Sequence, residues 1–284
     1  MNGATLKILV TGSDGLIGTN ILPYLSKHFE IIRMTEDQWD ILDRNLGEEI
    51  FHTYKPNALI NLAAITNVDG CEDASELAYR VNAEGAGVLA ALCGAYKVKL
   101  LHFSTDYVFD GTSARPYTEE DAPNPLSIYG LSKLLGEKKV LESHPSSLVV
   151  RTEWIYGKGG ENFITKVIKI AREKGKVEVV DDQTGTPTFA QDLAEPLKAL
   201  IAQDKSGIYH ITNGGACTWF QFAKEIFSIL RIDVPCLPMS SAQIQRKARR
   251  PAYSVLDCSK LKRETGLSLR PWQEALRQYL VEPS

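Results

Sequence analysis

The chain has no Cys-x-x-Cys spacing, no His-x-x-x-His pair and no grouped carboxylates, so a zinc knuckle, a disulfide framework or another metal site would lack its ligands. Its five cysteines, Cys71, Cys93, Cys217, Cys236 and Cys258, lie far apart and are expected as buried free thiols of a reducing compartment. His28, His52, His102, His144 and His210 are equally scattered. No apolar run approaches the ~20 residues of a membrane-spanning helix. The longest surrounds residues 58–65. A short polar lead passes straight into an apolar strand at Lys7, so no signal peptide is expected and the cytoplasm is the expected location. Net charge is −3, and the one basic run, Arg246-Lys-Ala-Arg-Arg250, suits a solvated loop before Pro251 better than a phosphate-binding stripe. Neither a nucleic-acid nor a membrane partner is expected. Internal repeats, low-complexity tracts and flexible linkers are also missing.

What remains is an ordinary globular composition, 44% hydrophobic and 24% charged over 284 residues, enough for one large domain or two joined ones. The first half alternates short apolar runs with helical patterns: strands at 6–10, 31–34, 58–64, 99–104 and 147–151, and helices at 16–27, 74–94 and from about Ser127. That alternation predicts parallel βαβ units, whose strands are apolar throughout because helices cover both faces. Further on, helices are expected at 162–174, 218–230 (with a threonine cap) and 272–280, and short strands at 177–180 and 208–211. Pro235 and Pro238 predict a loop-rich stretch, and Asp181-Asp182 a cap or turn. Trp219, Phe220 and Phe222 read first as core and second as a partner interface. The expected architecture is α/β: a dinucleotide-binding sheet region over 1–155 and a smaller C-terminal α/β substrate lobe over 156–284, with some segments returning to the sheet.

Chemistry first shows at Thr11-Gly-Ser-Asp-Gly-Leu-Ile-Gly18, between a strand and a helix. Gly12, Gly15 and Gly18 permit a tight turn, close approach of a pyrophosphate and close helix–strand packing, as in a Rossmann-type doubly wound parallel sheet. Arg33 could meet a 2′-phosphate, while Glu36 or Asp37 could accept from a ribose hydroxyl. NADP(H) is slightly favoured, NAD(H) stays open, and all three are equally well read as surface charges. Tyr129-Gly-Leu-Ser-Lys133 places a phenol and an ammonium on one helical face, where the lysine and an oxidised nicotinamide could together lower the phenol's pKa, and the lysine could hold a ribose. Upstream, Ser104 or Thr105 stands at a strand end where it could donate to a substrate oxygen. The alternative is that these hydroxyls merely satisfy loop backbone. Together the three motifs predict hydride transfer assisted by a proton donor.

On these motifs the chain resembles the extended short-chain dehydrogenase/reductases, and within them the dTDP-4-dehydrorhamnose reductase family, nearly end to end. Asn61-Leu-Ala-Ala-Ile-Thr-Asn-Val-Asp69, Arg151-Thr-Glu-Trp-Ile-Tyr-Gly157, Asp182-Gln-Thr-Gly-Thr-Pro-Thr188 and Arg250-Pro-Ala-Tyr-Ser-Val-Leu-Asp257 carry the narrower likeness. The resemblance implies NAD(P)H-dependent reduction of the C4 keto group of a dTDP-6-deoxy-4-keto-L-sugar, giving dTDP-L-rhamnose or a close analogue. It implies a catalytic trio of Thr105, Tyr129 and Lys133, selecting Thr105 over Ser104. Gly15, Leu16 and Ile17 would follow the cofactor pyrophosphate, Asp40 and Ile41 would lie near the adenine, and Ala63, Ala64, Ile65 and Thr66 would line the nicotinamide side. Val68, Asp106 and Trp154 would meet the sugar, with Asn162 and Arg250 nearer its nucleotide. The chain departs from the family at Ile65, where an aromatic residue or histidine is usual, and at Gly70-Cys71. Two other roles fit the same motifs: a nucleotide-sugar epimerase or dehydratase, and a non-catalytic NADP-binding subunit resembling the regulatory subunit of methionine adenosyltransferase. A homodimer is compatible with all of them.

Overall fold

The computed structural model describes residues 5–281. Its centre is a six-stranded, wholly parallel sheet. In chain order the first five strands are β1 (Lys7–Thr11), β2 (Glu30–Met34), β3 (Ala58–Asn61), β4 (Lys99–Thr105) and β5 (Leu148–Thr152). The sixth is Gly207–His210, which lies beside β5. Across the sheet the order is Gly207–His210, β5, β4, β3, β1, β2, so the winding reverses between β1 and β3. At such a reversal the connections leave in opposite directions and open a crevice above the carboxyl ends of the strands.

Period-2 alternation explains why these runs are apolar throughout. Ile8 and Val10 face one helical layer, in which α1 (Leu16–Leu25), α8 (Ala194–Ala202) and α10 (Ser259–Thr265) supply Ile21, Leu22, Leu197, Leu200 and Leu261. Leu9, Leu59, Leu100 and Val149 face the other layer, formed by α2 (Arg44–Tyr54), α5 (Ala86–Tyr96) and α6 (Ile128–Ser143). A third core, containing Tyr156, Val167, Phe222, Ile226 and Leu276, joins α7 (Phe163–Lys174), α9 (Trp219–Leu230) and α11 (Trp272–Val281). Both α7 and α9 begin with reciprocal capping boxes, Asn162 with Thr165 and Thr218 with Gln221, so their starts are fixed locally.

The structure corrects several sequence expectations. The helix expected over 74–94 is built from α4 (Ser75–Tyr79), a π-helical stretch (Arg80–Gly85) and α5, and is preceded by α3 (Val68–Asp73). The strand expected over 58–64 ends at Asn61, because Asn61 turns its side chain back to accept from the Ala63 amide at 3.1 Å. The run expected at 208–211 is the strand Gly207–His210 of the main sheet, so it is one of the segments that return to it. Pro238 sits within a strand after all, Cys236–Met239, which among the described residues pairs with Val177–Val180 alone and so tolerates a residue lacking an amide hydrogen.

Candidate functional site

The glycine turn follows β1 directly. Gly12 has φ +61°, and a Cβ there would lie 2.8 Å from the Ala63 amide nitrogen. At Gly18 a Cβ would stand 2.3 Å from the Ser13 carbonyl oxygen, so only glycine lets α1 press this closely on the turn. Gly15 caps α1 without a side chain, leaving the positive end of the helix facing the crevice. Gly12, Gly15, Leu16 and Ile17 line a cavity of about 570 Å³, whereas Gly18 is packed behind them. This cradle fits the pyrophosphate of a dinucleotide.

Further along the expected cofactor path the placements diverge. Arg33 is exposed at the end of β2, in register with Val10 of β1, and Glu36 and Asp37 are exposed beside it. Asp40 is exposed and accepts from the Leu42 amide at 3.0 Å. Ile41 is buried in the core against Gly85, which leaves only its backbone to meet a ligand. Ala64 and Thr66 line the cavity. Ala63 holds the turn, as described, and Ile65 is held on both sides of its peptide: Asn82 Oδ1 accepts from its amide at 2.8 Å, and Asn82 Nδ2 donates to its carbonyl at 3.0 Å. Asn82 also donates to Ser132 Oγ on α6 at 3.0 Å. The π-helical stretch thus ties the 63–66 loop to the helix carrying Tyr129 and Lys133. The spacing of Asn82 gave no sign of this.

Thr105, Tyr129 and Lys133 converge on the same cavity. Ser127 caps α6 by accepting from the Gly130 amide at 3.2 Å, and Gly130 sits so close to β4's continuation that a Cβ would lie 2.1 Å from the Tyr107 carbonyl oxygen. The Tyr129 ring packs edge-on against Tyr107 with centroids 5.8 Å apart. Burial pushes the Tyr129 phenol above its ordinary value, although a hydrogen bond with Thr105 opposes the rise. Desolvation is the larger of the two effects, so the phenol is held in its protonated form. Thr105 Oγ1 donates to Asp106 Oδ1 at 2.9 Å and accepts from the Tyr107 amide at 3.2 Å. Lys133 is buried, donates to the Phe103 carbonyl at 2.6 Å, and is pulled down to about 8 by burial, with Glu137 opposing. Ser104 turns the other way and donates to Glu137 at 2.5 Å. Glu137 in turn pairs with buried Arg151 at 2.6 Å, so Ser104 is committed to the sheet's interior.

At the far end of the cavity stand Val68, Asp106, Glu153, Trp154 and Trp219. Trp154 has a left-handed backbone, φ +46°, and its indole lies parallel to that of Trp219, with centroids 3.5 Å apart. Trp219 therefore belongs to the cavity wall and not simply to the core, unlike Phe222, which is buried. The helical periodicity of 219–222 could not separate those roles, because both faces are aromatic. Asn162 does not line this cavity: its Oδ1 caps α7 and its Nδ2 donates to the Gly157 carbonyl at 3.0 Å. Arg250 also stands back from it, pairing with Asp69 at 2.8 Å and holding that carboxyl down to about 2. Glu153 was missed in the sequence, although an acid directly before a tryptophan at a strand end was a usable sign. The Asp181-Asp182 pair does serve as turn and cap: Asp182 accepts from the Ser241 amide at 2.9 Å.

Residues 6–283 match the family described as the RmlD substrate binding domain. The chain is 39% identical over 279 residues to the spore coat polysaccharide biosynthesis protein SpsK of Bacillus subtilis (strain 168), covering 98% of each. It is 40% identical over 278 residues to a dTDP-4-dehydrorhamnose reductase of Streptomyces griseus, covering 95% of this chain and 91% of that one. Among solved structures it is similar to the dTDP-4-dehydrorhamnose reductase of Bacillus anthracis str. Ames in complex with NADP. The TM-score is 0.95 at 35% identity, covering 98% of this chain and 100% of that chain.

Proposed function

The chain belongs to the RmlD substrate binding domain family, and from that premise we propose that it is an NADPH-dependent reductase of a dTDP-6-deoxy-4-keto-L-sugar, producing dTDP-L-rhamnose or a close analogue. One observation carries this: the cradle of Gly12, Gly15, Leu16 and Ile17 and the trio Thr105, Tyr129 and Lys133 open into one cavity. We assign cofactor binding to the sheet region, 1–155, and most sugar contacts to the far end of the cavity and the lobe beyond it. The cytoplasm is the setting we propose, as the compartment that supplies both reduced cofactor and nucleotide sugar.

A bound nicotinamide dinucleotide supplies the hydride. The Tyr129 phenol, kept neutral by burial, donates the proton to the carbonyl oxygen as charge develops there. Thr105 orients that oxygen by turning its single hydroxyl hydrogen onto it from Asp106, while the Tyr107 amide holds the hydroxyl in place. Lys133 stands one helical turn beyond Tyr129 and offers its remaining ammonium hydrogens to the cofactor ribose and the phenol. Arg33, exposed one strand away from the glycine turn, suits a 2′-phosphate, which favours NADPH over NADH.

The test follows the absorbance of NADPH, and separately NADH, with dTDP-4-keto-6-deoxy-glucose and a 3,5-epimerase, using the chain and its Tyr129→Phe variant. Turnover by the chain, preferring NADPH and reduced about 10²–10⁴-fold by the substitution, is expected for loss of a general acid. Cofactor binding without turnover of any dTDP-4-keto-sugar would refute the assignment and favour the regulatory-subunit role.

A further inference from the structure

Three successive residues at the end of β4 serve one face of α6. The Phe103 carbonyl accepts from Lys133 Nζ at 2.6 Å, Ser104 Oγ donates to Glu137 Oε1 at 2.5 Å, and Thr105 shares the cavity with Tyr129. Tyr129, Lys133 and Glu137 are four residues apart, so they stand one above another along the helix. Arg151 reaches the same place from β5, where it is the register partner of Ser104. Its Nε donates to Glu137 Oε1 at 2.9 Å and its Nη2 donates to Oε2 at 2.6 Å. The side chains of both members of this pair are 2% exposed. A buried ion pair adds little stability by itself, because desolvation offsets the attraction, and apolar side chains would hold α6 on the sheet as well. The charge therefore points to something other than packing.

Lys133, one helical turn before Glu137, is the group that gains from it. Its ammonium is buried and its Phe103 partner is neutral. Burial pushes the Tyr129 and Tyr107 phenols, the Cys71 thiol and the Asp106 carboxyl upward and the His102 imidazole downward, so each of these tends to its uncharged form. Glu72 of α3 is engaged at the start of α6, accepting from the Ile128 amide at 2.9 Å, while Glu76, Arg80 and Glu84 are exposed. His210, 3.5 Å from Arg151 Nη1, is pulled down to about 3 by burial and adds no charge. We propose that Glu137 supplies the countercharge that holds the Lys133 ammonium against the crevice, and that Ser104 and Arg151 fix the Glu137 carboxylate for that purpose. Glu137 and Arg151 are positioning residues, since neither lines the cavity and both act through Lys133. The use of that ammonium, to hold the cofactor ribose beside Tyr129, rests on the reductase assignment above.

The test removes charge while keeping volume, and its first readout needs no sugar substrate: NADPH affinity against pH, followed by the fluorescence of the full chain. Burial pulls Lys133 down to about 8 and Glu137 opposes the fall. Affinity of the unmodified chain should therefore weaken as pH rises through that value and the ammonium loses its proton. In Glu137→Gln the amide still accepts from Ser104, but the countercharge is gone and Arg151 repels in the same sense, so the weakening should begin about one pH unit lower. Kd should then be about fivefold larger at pH 8 and nearly unchanged at pH 6. Because the single change strands a buried guanidinium, Glu137→Gln/Arg151→Met is made beside it; removing both charges is commonly tolerated, and the same downward displacement is expected. A double variant that binds NADPH with the pH dependence of the unmodified chain would overturn the proposal and leave the pair a brace for α6. Alkaline weakening that persists in Lys133→Met would overturn it as well, by showing that the titrating group is not the lysine. In turnover, the alkaline fall of kcat/KM should move with the binding curve. If no keto-sugar is reduced at all, the reductase assignment fails, while the binding titration still decides the role of Glu137.

Discussion

Thr105 illustrates how much one hydroxyl is asked to do: it accepts from the Tyr107 amide, donates to Asp106 and meets the Tyr129 phenol. Thr105→Val keeps the shape, leaves the Tyr107 amide and Asp106 Oδ1 short of a partner in the free protein, and removes the one hydroxyl hydrogen that would turn to substrate. Its kcat/KM should fall about 10- to 200-fold, as for about 1.5–3 kcal/mol of lost charge-assisted hydrogen bonding, whereas Thr105→Ser should retain most activity. Steady-state kinetics of the two variants, with circular dichroism to verify the fold, checks this. Equal loss in both would show that the methyl group matters more than the hydroxyl. The sequence made the trio visible because its residue types are rare in that combination at a strand end and a helix face. Glu153 and Asn82 were hidden for the opposite reason. Carboxylates and amides are common, and their significance comes only from burial and from the backbone groups they meet, as Asn82 does at Ile65.

Elements were legible where two independent signals agreed. Strands β1, β3, β4 and β5 are buried on both faces and bounded by turn residues, and α9 shows both its cap and its apolar periodicity. The π-helical stretch had no signal, since its extra residue per turn is imposed by packing between α6 and the 63–66 loop and not by local propensity. The 208–211 run was visible as a strand but not as a neighbour of β5, because periodicity does not encode the sheet edge a chain rejoins. At this scale Gly130 sets the position of α6. Gly130→Ala would force the helix away from the Tyr107 carbonyl, with overpacking of about 1–3 kcal/mol. Urea denaturation should show that loss, and kcat should fall more than affinity for NADPH, since the glycine cradle lies on another helix. Unaltered stability and turnover would mean that the contact relaxes freely.

For the whole molecule, buried charge sets how stability responds to pH. An acid whose folded-state pKa is raised contributes stability that is present below its ordinary value and lost as pH climbs through the raised one. Asp106 and Glu153 are both of this kind. Asp69 and Asp110, each held down to about 2 by hydrogen bonds, act in the opposite sense and lose their contribution in strong acid. The chain's Tm should therefore decline between pH 5 and pH 8 more steeply than that of Glu153→Gln, as measured by thermal melts at fixed ionic strength. Parallel curves would mean that the two acids do not differ in protonation between folded and unfolded chains.

The indoles of Trp154 and Trp219, parallel and 3.5 Å apart between centroids, have a consequence of another sort. At that separation their electronic transitions couple, so the two rings absorb and emit as one chromophore rather than as two. One belongs to the segment after β5 and the other to the first turn of α9, so the coupling depends on the distance between those two segments, which pack on the same third core. The wall of the cavity thus carries its own optical ruler, which needs no label to report a change in that distance.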